Sequence, residues 1–251
     1  MFFTNKPRLL DDTLGAQYQN ERNTDYGGFT ELVAIEKNLR GYNSDLVLKM
    51  SKYCKEGSVL ELGAGIGTLA IEWEKRTGVK PECLEVDDRQ RRMIRERGFV
   101  CYKSIDEIKK KFDAIYSPNV FEHIEDDVKV LKEVSTIMTE GAILAVYVPA
   151  FMCLFSDIDR ALGHYRRYHK AELIQKAKGA GLKVVDCHYA DSLGFFAWFA
   201  MKLFGNKTLA NFRNTANLRF YDKWLYPLST KIDALCMKRL IGKNLILIAQ
   251  K

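Results

Sequence analysis

Three glycines on alternate positions follow a short apolar run, and this feature constrains the fold more than any other in the chain. Residues 58–70 have the sequence S-V-L-E-L-G-A-G-I-G-T-L-A. The apolar run predicts a buried β-strand, and the apolar spacing after the glycines predicts a helix. Gly63, Gly65 and Gly67 predict a tight turn with positive φ angles or a ligand in contact with the main chain. The N–H groups of the helix would then point towards whatever lies over the turn.

The details of this glycine turn separate two classes of ligand. A dinucleotide-binding turn has the pattern G-x-G-x-x-G and holds a pyrophosphate at the helix N-terminus. In this chain Thr68 stands three residues after Gly65, and the third glycine comes one position early, at Gly67. The strand also ends with Glu61-Leu62, and an acid there would repel a pyrophosphate but suits a ligand with an ammonium group. The alternative is a glycine-rich turn that binds no ligand.

Length and composition indicate one large globular domain. The chain has 251 residues, of which 47% are hydrophobic and 28% charged, as in soluble globular proteins. We expect an N-terminal arm and helices over 1–50, a core over 51–190, a helical insert over 191–242 and a last strand over 243–251. No signal peptide is expected, and the longest apolar run, near 193–204, is shorter than the ~20 residues that cross a bilayer.

The cysteines and the net charge narrow the cellular setting and the partners. Six cysteines are scattered without a C-x-x-C pair, which favours a reducing cytoplasm and suggests neither a disulfide framework nor a metal site. The net charge is +7, but no run of five like charges, as in a nucleic-acid-binding tail, is present. We therefore predict a cytoplasmic protein without a nucleic-acid partner; the oligomeric state stays open.

A second acid lies at the end of the next predicted strand, 81–86. Glu85 is 22 residues beyond Gly63, and an acid about 20 residues past such a turn can accept hydrogen bonds from both hydroxyls of a ribose. Asp87 competes for this role, and its alternative is the N-cap of the arginine-rich helix that follows. A weaker strand over 99–102 leads to Ser104 and Ile105, after which Asp106 could cap a helix.

The remaining core predicts an alternation of strands and helices. The predicted elements are a strand over 112–117, a helix from Val128 that closes at Glu140-Gly141, a strand over 142–148, a helix over 171–178, and strands over 183–189 and 244–249. Alternating strands and helices predict an α/β fold with a mostly parallel sheet.

Three motifs in this pattern resemble class I S-adenosylmethionine-dependent methyltransferases. E-L-G-A-G-I-G at 61–67 resembles their motif I, and F-D-A-I-Y-S with V-F-E-H-I-E-D-D at 112–127 resembles motif IV and its loop in a bacterial branch. D-R-A-L-G-H-Y-R-R-Y at 159–168 resembles a signature of enzymes associated with surface glycans and glycolipids. The resemblance implies a doubly wound, mostly parallel seven-stranded sheet of strand order 3-2-1-4-5-7-6.

The resemblance also implies which residues bind S-adenosylmethionine. Glu61, Gly63, Ala64, Gly65 and Gly67 would surround the methionine part of the cofactor. The other positions implied are Glu85 and Val86 at the ribose, Ser104 and Ile105 near the adenine, and Asn119 facing the transferred methyl group.

Two histidines are candidates for the base that a hydroxyl acceptor needs. His123 follows the fourth strand, and its alternative is a structural hydrogen bond that holds the loop. His164 lies in the polar loop after the fifth strand, on the edge of the sheet where ligands collect. Its neighbours are the candidate substrate-binding residues, Asp159, Arg166, Arg167 and Tyr168. The two arginines could grip a phosphate or carboxylate, or they could instead pair with Asp157 and Asp159.

The insert over 191–242 is rich in basic and aromatic residues. It contains eight Lys or Arg residues and three acids. Basic and aromatic residues at helical spacing are typical of an interfacial helix or of a cap over an apolar substrate. A cap that only packs on the sheet and on itself is the alternative. We expect peripheral membrane contact, if present, through 191–212 at the inner membrane face.

The sequence therefore predicts S-adenosylmethionine-dependent methylation of a small or lipid-linked acceptor, with a sugar or isoprenoid part, at oxygen and with a histidine base. One alternative is a non-catalytic cofactor-binding protein that serves a glycosyltransferase at the membrane surface. Another is a nicotinamide-dependent oxidoreductase, which Glu61 and Thr68 disfavour. Nucleic-acid methylation is disfavoured because S-P-N-V at 117–120 is not an N/D-P-P-Y-like tetrad.

Overall fold

A computed structural model describes residues 29–54, 57–204 and 215–251, so the predicted N-terminal arm lies mostly outside the described residues. The strands are β1 (Val59–Leu62), β2 (Glu82–Leu84), β3 (Cys101–Tyr102), β4 (Phe112–Pro118), β5 (Met138–Pro149), β6 (Lys183–Ala190) and β7 (Asn244–Gln250). The α-helices are α1 (Phe29–Asn38), α2 (Arg40–Ser51), α3 (Thr68–Thr77), α4 (Asp88–Glu96), α5 (Asp127–Thr136), α6 (Asp157–Ala161), α7 (Lys170–Gly179), α8 (Ser192–Phe204), α9 (Thr215–Phe220) and α10 (Tyr226–Leu235). Short 3₁₀ turns occur at Ile105–Glu107, Phe121–His123, Met152–Leu154 and Met237–Arg239.

The seven strands form one sheet of order β3-β2-β1-β4-β5-β7-β6, as predicted. Strands β1 to β5 pair in parallel, and β7 runs antiparallel between β5 and β6. All four residues of β1 are buried, as are six of the seven in β7, because helices cover both faces of the sheet. The doubly wound α/β fold is confirmed.

Alternate residues of the central strands point into two separate cores. On one face, α5 and α7 pack on a core that includes Leu60, Ile115 and Leu144. On the other face, α2 and the stacked pair Trp73 and Tyr116 cover the sheet. The parallel pairing of β1, β4 and β5 places their carboxyl ends side by side at one edge, where ligands bind in open α/β sheets.

A buried ion pair attaches α1 to the core. Arg97 donates from both terminal nitrogens to the two carboxylate oxygens of Glu36, at 2.8 and 3.0 Å. The hydroxyl of Thr68, the first residue of α3, also donates to Glu36, at 2.5 Å. Such two-pronged arginine–carboxylate bonds fix geometry as well as charge. The first helix is therefore held directly over the start of α3.

Two predicted elements differ in the structure. Helix α5 ends at Thr136, and Glu140-Gly141 lies inside β5 instead of closing a helix. Met138 already pairs with Phe112, and the pairing resumes in a shifted register at Ile143, after Gly141 at φ +80°. A 3₁₀ turn at Ile105–Glu107 also replaces the helix predicted after Asp106, because Glu107 folds back and accepts from the Lys103 N–H.

The insert forms helices that lie over the carboxyl edge of the sheet. Helices α9 and α10 are joined without a break by a π-helical turn, Tyr221–Leu225. Asp222 in this turn accepts from the backbone N–H groups of Gly41 and Tyr42, at 3.0 and 2.7 Å. Tyr226 donates to Asp45 on α2, at 2.5 Å. The insert is thus anchored to α2, and no helix in the described part of the chain is long and apolar enough to cross a membrane.

Candidate functional site

The glycine turn after β1 has the backbone conformation that its sequence predicts. Gly63, Gly65 and Gly67 have φ angles of +72°, +57° and +80°. The Gly63 and Ala64 N–H groups both donate to the carbonyl oxygen of Leu84 in β2. A Cβ atom on Gly63 would lie 2.4 Å from Cγ2 of Val120. Glycine is therefore required at Gly63 by both the φ angle and the space.

Glu61 is a buried acid at the wall of a cavity beside this turn. Its side chain is 1% exposed, and Tyr116 donates its hydroxyl to Oε2 at 2.9 Å. Burial raises the pKa of Glu61 to about 8, against the lowering effect of the Tyr116 hydrogen bond. A neighbouring cation would favour the ionised form. Glu61 is therefore poised to bind a positively charged group.

Glu85 bonds to the glycine turn itself. Its carboxylate accepts from the N–H groups of Gly65, at 2.8 Å, and Asp87, at 3.0 Å. The side chain of Asp87 accepts from the Gln90 N–H and caps α4, which confirms the alternative given for that acid. Glu85, Val86, Ser104 and Ile105 do not line the cavity described next. Their predicted contacts with ribose and adenine stay predictions.

A cavity of about 550 Å³ connects the glycine turn with the histidine loop and the insert. Its wall includes Glu61, Gly63, Ala64 and Gly65 at one side and His123 and His164 at another. Helices α1 and α2 and the inward faces of α8 and the π-helical turn complete it, mostly with apolar side chains. The carboxyl ends of β4 and β5 contribute Pro118, Asn119 and Pro149. The structure thus brings Glu61, Gly63, Ala64 and Gly65 and both candidate bases to one cavity, whereas Gly67 does not line it.

Asn119 is held in a strained backbone conformation at the end of β4. Its φ angle is +55°, which is uncommon for a residue other than glycine. The Asn119 N–H donates to the Tyr147 carbonyl at 2.7 Å. The hydroxyls of Tyr42 and Tyr147 lie 3.2 Å apart, and Asn119 also hydrogen-bonds to the Tyr42 hydroxyl. These bonds fix Asn119 at the cavity wall, between the glycine turn and the insert.

His164 and His123 meet edge to face, with ring centroids 4.6 Å apart. Nδ1 of His164 lies 3.0 Å from Oδ1 of Asp159, so Nε2 is the nitrogen left for an acceptor. His123 hydrogen-bonds to the backbone of Leu162 and Gly163, and desolvation together with the nearby His164 lowers its pKa to about 4. These bonds favour a loop-holding role for His123 and leave His164 as the stronger candidate base.

Asp159 is the centre of a buried network. It is 0% exposed, and its carboxylate accepts from Nε and Nη2 of Arg167, at 2.8 and 3.1 Å. It also accepts from the N–H and hydroxyl of Ser156, closing a capping box at the start of α6. Burial alone would raise the pKa of Asp159, but His164 and Arg167 lower it to about 2. Asp159 is therefore an ionised, fully bonded partner of His164.

The other predicted substrate-binding residues are bonded inside the protein. Arg167 lines the cavity but pairs with Asp159, which confirms the alternative pairing for this arginine. Arg166 pairs with Asp127 at 3.1 Å. Tyr168 is 0% exposed, donates to Phe121 and Asp127, and does not line the cavity. The structure thus places Arg166 and Tyr168 behind the loop instead of at the cavity.

Glu122 also lines the cavity, although its sequence position predicted no role for it. Burial raises its pKa to about 8, and among the described residues its Oε2 has no hydrogen-bond partner. One ligand atom from each of Glu122, His123 and His164 lies within 4.8 Å of the others, a grouping that could hold a metal ion. The scattered cysteines suggested no metal site, and this grouping joins residues that lie about 40 positions apart in the sequence.

Several wall residues come from segments without a recognisable motif. Tyr42 on α2, Tyr221 in the π-helical turn and Trp198 on α8 all line the cavity. The indole of Trp198 donates to the Leu154 carbonyl at 3.2 Å, and the guanidinium of Arg167 lies 5.0 Å from its ring centroid. The signal for Trp198 and Tyr221 was the aromatic content of the insert, which did not specify which side chains turn inward. Tyr42 on α2 had no such signal.

Comparisons with known proteins agree with the fold described above. The profile of the methyltransferase domain family matches residues 35–186. A sequence search finds no match among curated proteins. Among solved structures, an S-adenosylmethionine-dependent methyltransferase from Archaeoglobus fulgidus is 18% identical, with a TM-score of 0.56, over 86% of this chain and 97% of that one.

Two further structures have the same fold. A methyltransferase from Thermotoga maritima, described as a possible histamine N-methyltransferase, is 14% identical with a TM-score of 0.53, over 95% of this chain and 97% of that one. Phosphoethanolamine N-methyltransferase 2 from Haemonchus contortus, in complex with S-adenosylmethionine, is 14% identical with a TM-score of 0.55, over 90% and 58%. At these identities the likeness shows the fold. The family match covers more than half of the chain, and the chain therefore belongs to the methyltransferase domain family and is an S-adenosylmethionine-dependent methyltransferase.

Proposed function

We propose that the chain methylates an oxygen atom of a small or lipid-linked, largely apolar acceptor, with His164 as the base. One observation carries this proposal: a single cavity joins the glycine turn and Glu61 to the Asp159–His164 pair beneath an apolar cap. Methyl transfer is an in-line displacement whose acceleration comes mainly from holding the acceptor in line with the methyl group. A cavity with both components in its wall suits that task.

The residues of the glycine turn fit S-adenosylmethionine. The buried carboxyl of Glu61 suits the ammonium of the methionine part, and Gly63 and Gly65 leave main chain without Cβ atoms at the wall. The Glu85 carboxylate already faces the turn, where it accepts a hydrogen bond from the Gly65 N–H. On cofactor binding it would give up this bond and accept hydrogen bonds from the ribose hydroxyls instead. When bound, this cofactor supplies an electrophilic methyl group on a sulfonium.

The chain's own residues supply the proton chemistry. His164 would accept the hydroxyl proton of the acceptor at Nε2, since Nδ1 is bonded to Asp159. The ionised Asp159 stabilises the imidazolium that forms, and Arg167 holds Asp159 in place. This division of roles, a base with an orienting acid behind it, is the usual arrangement for general base catalysis by histidine.

The far wall of the cavity supports an apolar acceptor. Trp198 and Met201 of α8, with Leu218 and Phe220 of α9 and Leu225 of the π-helical turn, line the side opposite the sheet. Lys243 also lines it and bonds to the buried Asp191 at 3.3 Å. An apolar chain or ring of the acceptor would cover these side chains. Each Å² of apolar surface removed from water would contribute roughly 25 cal/mol of favourable free energy.

Calorimetric titration tests the cofactor half of the proposal. We expect S-adenosylmethionine and S-adenosylhomocysteine to bind and NADH not to bind, because an acid beside the glycine turn would repel a pyrophosphate. Glu85→Ala should weaken both bindings at least about tenfold, the loss of more than one hydrogen bond to a charged group. Asp88→Ala, an exposed acid three residues along the chain, is the matched control. Binding of NADH alone would contradict the assignment of the glycine turn to S-adenosylmethionine.

Binding of S-adenosylhomocysteine should release a proton from Glu61. The pKa of about 8 keeps this carboxyl mostly protonated at pH 7, and the ligand's ammonium would lower that pKa. Calorimetry in buffers of different ionisation enthalpy measures the number of protons released, which we expect to approach one. The release should disappear in Glu61→Gln and persist in Glu122→Gln, whose acid also has a raised pKa. Equal release from wild type and Glu61→Gln would contradict this role.

A further inference from the structure

Helix α8 has two apolar faces, and only one of them is used by the cavity. Trp198 and Met201 face inward and line the cavity. On the outside, Phe196 is 52% exposed, Phe199 40% and Leu203 56%. Residues three and four apart lie on one face of a helix, so these three form a continuous outward stripe. An aqueous environment alone gives no reason for such a stripe.

Helix α10 and the turn before it carry a second outward apolar stripe. Trp224 is 61% exposed, Leu228 52% and Leu235 83%, at positions that share one helix face. The two helices are bonded to each other, because the N–H of Leu193 in α8 donates to the hydroxyl of Ser229 in α10, at 3.0 Å. Both stripes therefore belong to one cap of packed helices.

The acidic side chains of the insert point inward, and several of its basic side chains point outward to solvent. Its three acids all bond inward: Asp191 to Tyr221 and Lys243, Asp222 to the backbone of α2, and Asp233 to the N–H groups of Asp191 and Ser192. Four of its basic residues, Lys223, Lys231, Lys238 and Arg239, are exposed. Within the part of the insert that the structure describes, the charge presented to solvent is therefore positive.

We propose that this outer surface binds the surface of an anionic phospholipid bilayer. The cap surface, as we name it, consists of the apolar residues Phe196, Phe199, Leu203, Trp224, Leu228 and Leu235 and the basic residues Lys223, Lys231, Lys238 and Arg239. Exposed aromatic and leucine side chains insert into the headgroup region, and basic residues beside them attract anionic lipids. Residues 205–212 of the predicted contact lie outside the described part of the chain.

One consequence of this bilayer binding, the route of the acceptor into the cavity, rests on the proposed function. The same helix that presents Phe199 to the bilayer presents Trp198 and Met201 to the cavity. An acceptor with an apolar tail would therefore pass from the lipid into the cavity along the insert, without crossing bulk water. The binding of the bilayer itself requires no assumption about the reaction.

Vesicle sedimentation with the full chain tests the proposal. The probes are vesicles of phosphatidylcholine alone and of phosphatidylcholine mixed with phosphatidylglycerol. We expect the protein to sediment with the mixed vesicles at least about tenfold more strongly than with the neutral ones, and added salt should weaken this binding. No sedimentation, or equal sedimentation with both vesicle types, would overturn the proposal and favour a protein partner for this surface.

Two variants and matched controls assign the binding to the cap surface. Lys223→Glu/Lys231→Glu and Trp224→Ser/Leu228→Ser should each lower binding to the mixed vesicles at least about tenfold. The controls are Lys129→Glu/Lys132→Glu on α5, across the sheet from α2, and Val100→Ser, which is 54% exposed. Binding by the cap variants equal to that of the controls would overturn the assignment.

Two further measurements separate insertion of Trp224 into the bilayer from a loss of folding. Brominated lipids should quench the fluorescence of wild type, and this quenching should be lost in Trp224→Phe, because Trp73 is 1% exposed and Trp198 faces the cavity. Unchanged quenching in Trp224→Phe would contradict insertion of this side chain. Titration with S-adenosylhomocysteine checks that each variant folds, and its failure in wild type would affect the proposed function without changing the vesicle result.

Discussion

Gly63→Ala is expected to abolish measurable binding of S-adenosylhomocysteine. The added Cβ would lie 2.4 Å from Cγ2 and 2.9 Å from Cγ1 of Val120, distances that real Cβ atoms do not adopt. Either the glycine turn or the loop after β4 must move. Because Gly63 also has φ +72°, the substitution adds a backbone cost of about 1–2 kcal/mol. Calorimetry measures the binding, and thermal unfolding measures the accompanying loss of stability.

Gly78→Ala separates these two effects. Gly78 has nearly the same φ angle, +75°, but a Cβ there would meet no atom of the described residues within 4 Å. This variant should lose stability through the backbone cost and retain cofactor binding. The double variant Gly63→Ala/Val120→Ala should recover part of the binding lost in Gly63→Ala, because it removes the atoms that clash. Normal binding by Gly63→Ala alone would contradict the placement of the cofactor at this turn.

His164→Gln is expected to lower methyl transfer by about 10²–10⁴-fold, the usual contribution of a positioned general base. The affinity for S-adenosylhomocysteine should stay unchanged, because His164 lies on the acceptor side of the cavity. The measurement is transfer of a radiolabelled methyl group from S-adenosylmethionine to a total lipid extract of the source cells. No transfer by wild type to this extract or to its delipidated residue would favour the non-catalytic alternative.

His123→Gln is the matched control for this prediction. Both rings line the same cavity, but His123 hydrogen-bonds to the backbone of Leu162 and Gly163. We expect His123→Gln to affect stability more than turnover. Asp159→Asn should reduce kcat without removing transfer, since Asp159 bonds to His164 and does not itself line the cavity. If His123→Gln loses turnover and His164→Gln retains it, the roles of the two histidines are reversed.

Local sequence features predicted the glycine turn and the cap at Asp87, because each depends on neighbouring residues. The strand order was implied by the family resemblance and is confirmed. The predicted end of α5 at Glu140-Gly141 was wrong, because the apolar spacing continues through Ile137 into β5 without a break. Pairing of Met138 with Phe112, which is distant in sequence, decides that boundary. A pattern read along the chain does not contain that information.

The acceptor side of the site was less predictable because its bonds join segments far apart in sequence. The motif around residue 164 marked a functional loop, but it did not show that Arg167 turns back to Asp159 or that Tyr168 is buried. The hydroxyls of Tyr42 and Tyr147 meet across 105 positions of chain. Glu122 was visible in its motif, yet only the fold shows that its carboxyl faces the cavity.

Strand β7 is the last in the sequence but lies between β5 and β6 in the sheet, and this position affects folding during synthesis. Among the strands in the described part of the chain, β6 pairs only with β7, and β7 pairs with β5 on its other side. A ribosome delivers β6 and the whole insert before β7, so β1 to β5 can pair while β6 has no neighbour. Until β7 arrives, the apolar side chains of β6 and α8 are accessible to other chains, a state in which aggregation competes with folding. Chaperone dependence should therefore be greatest in that interval of synthesis.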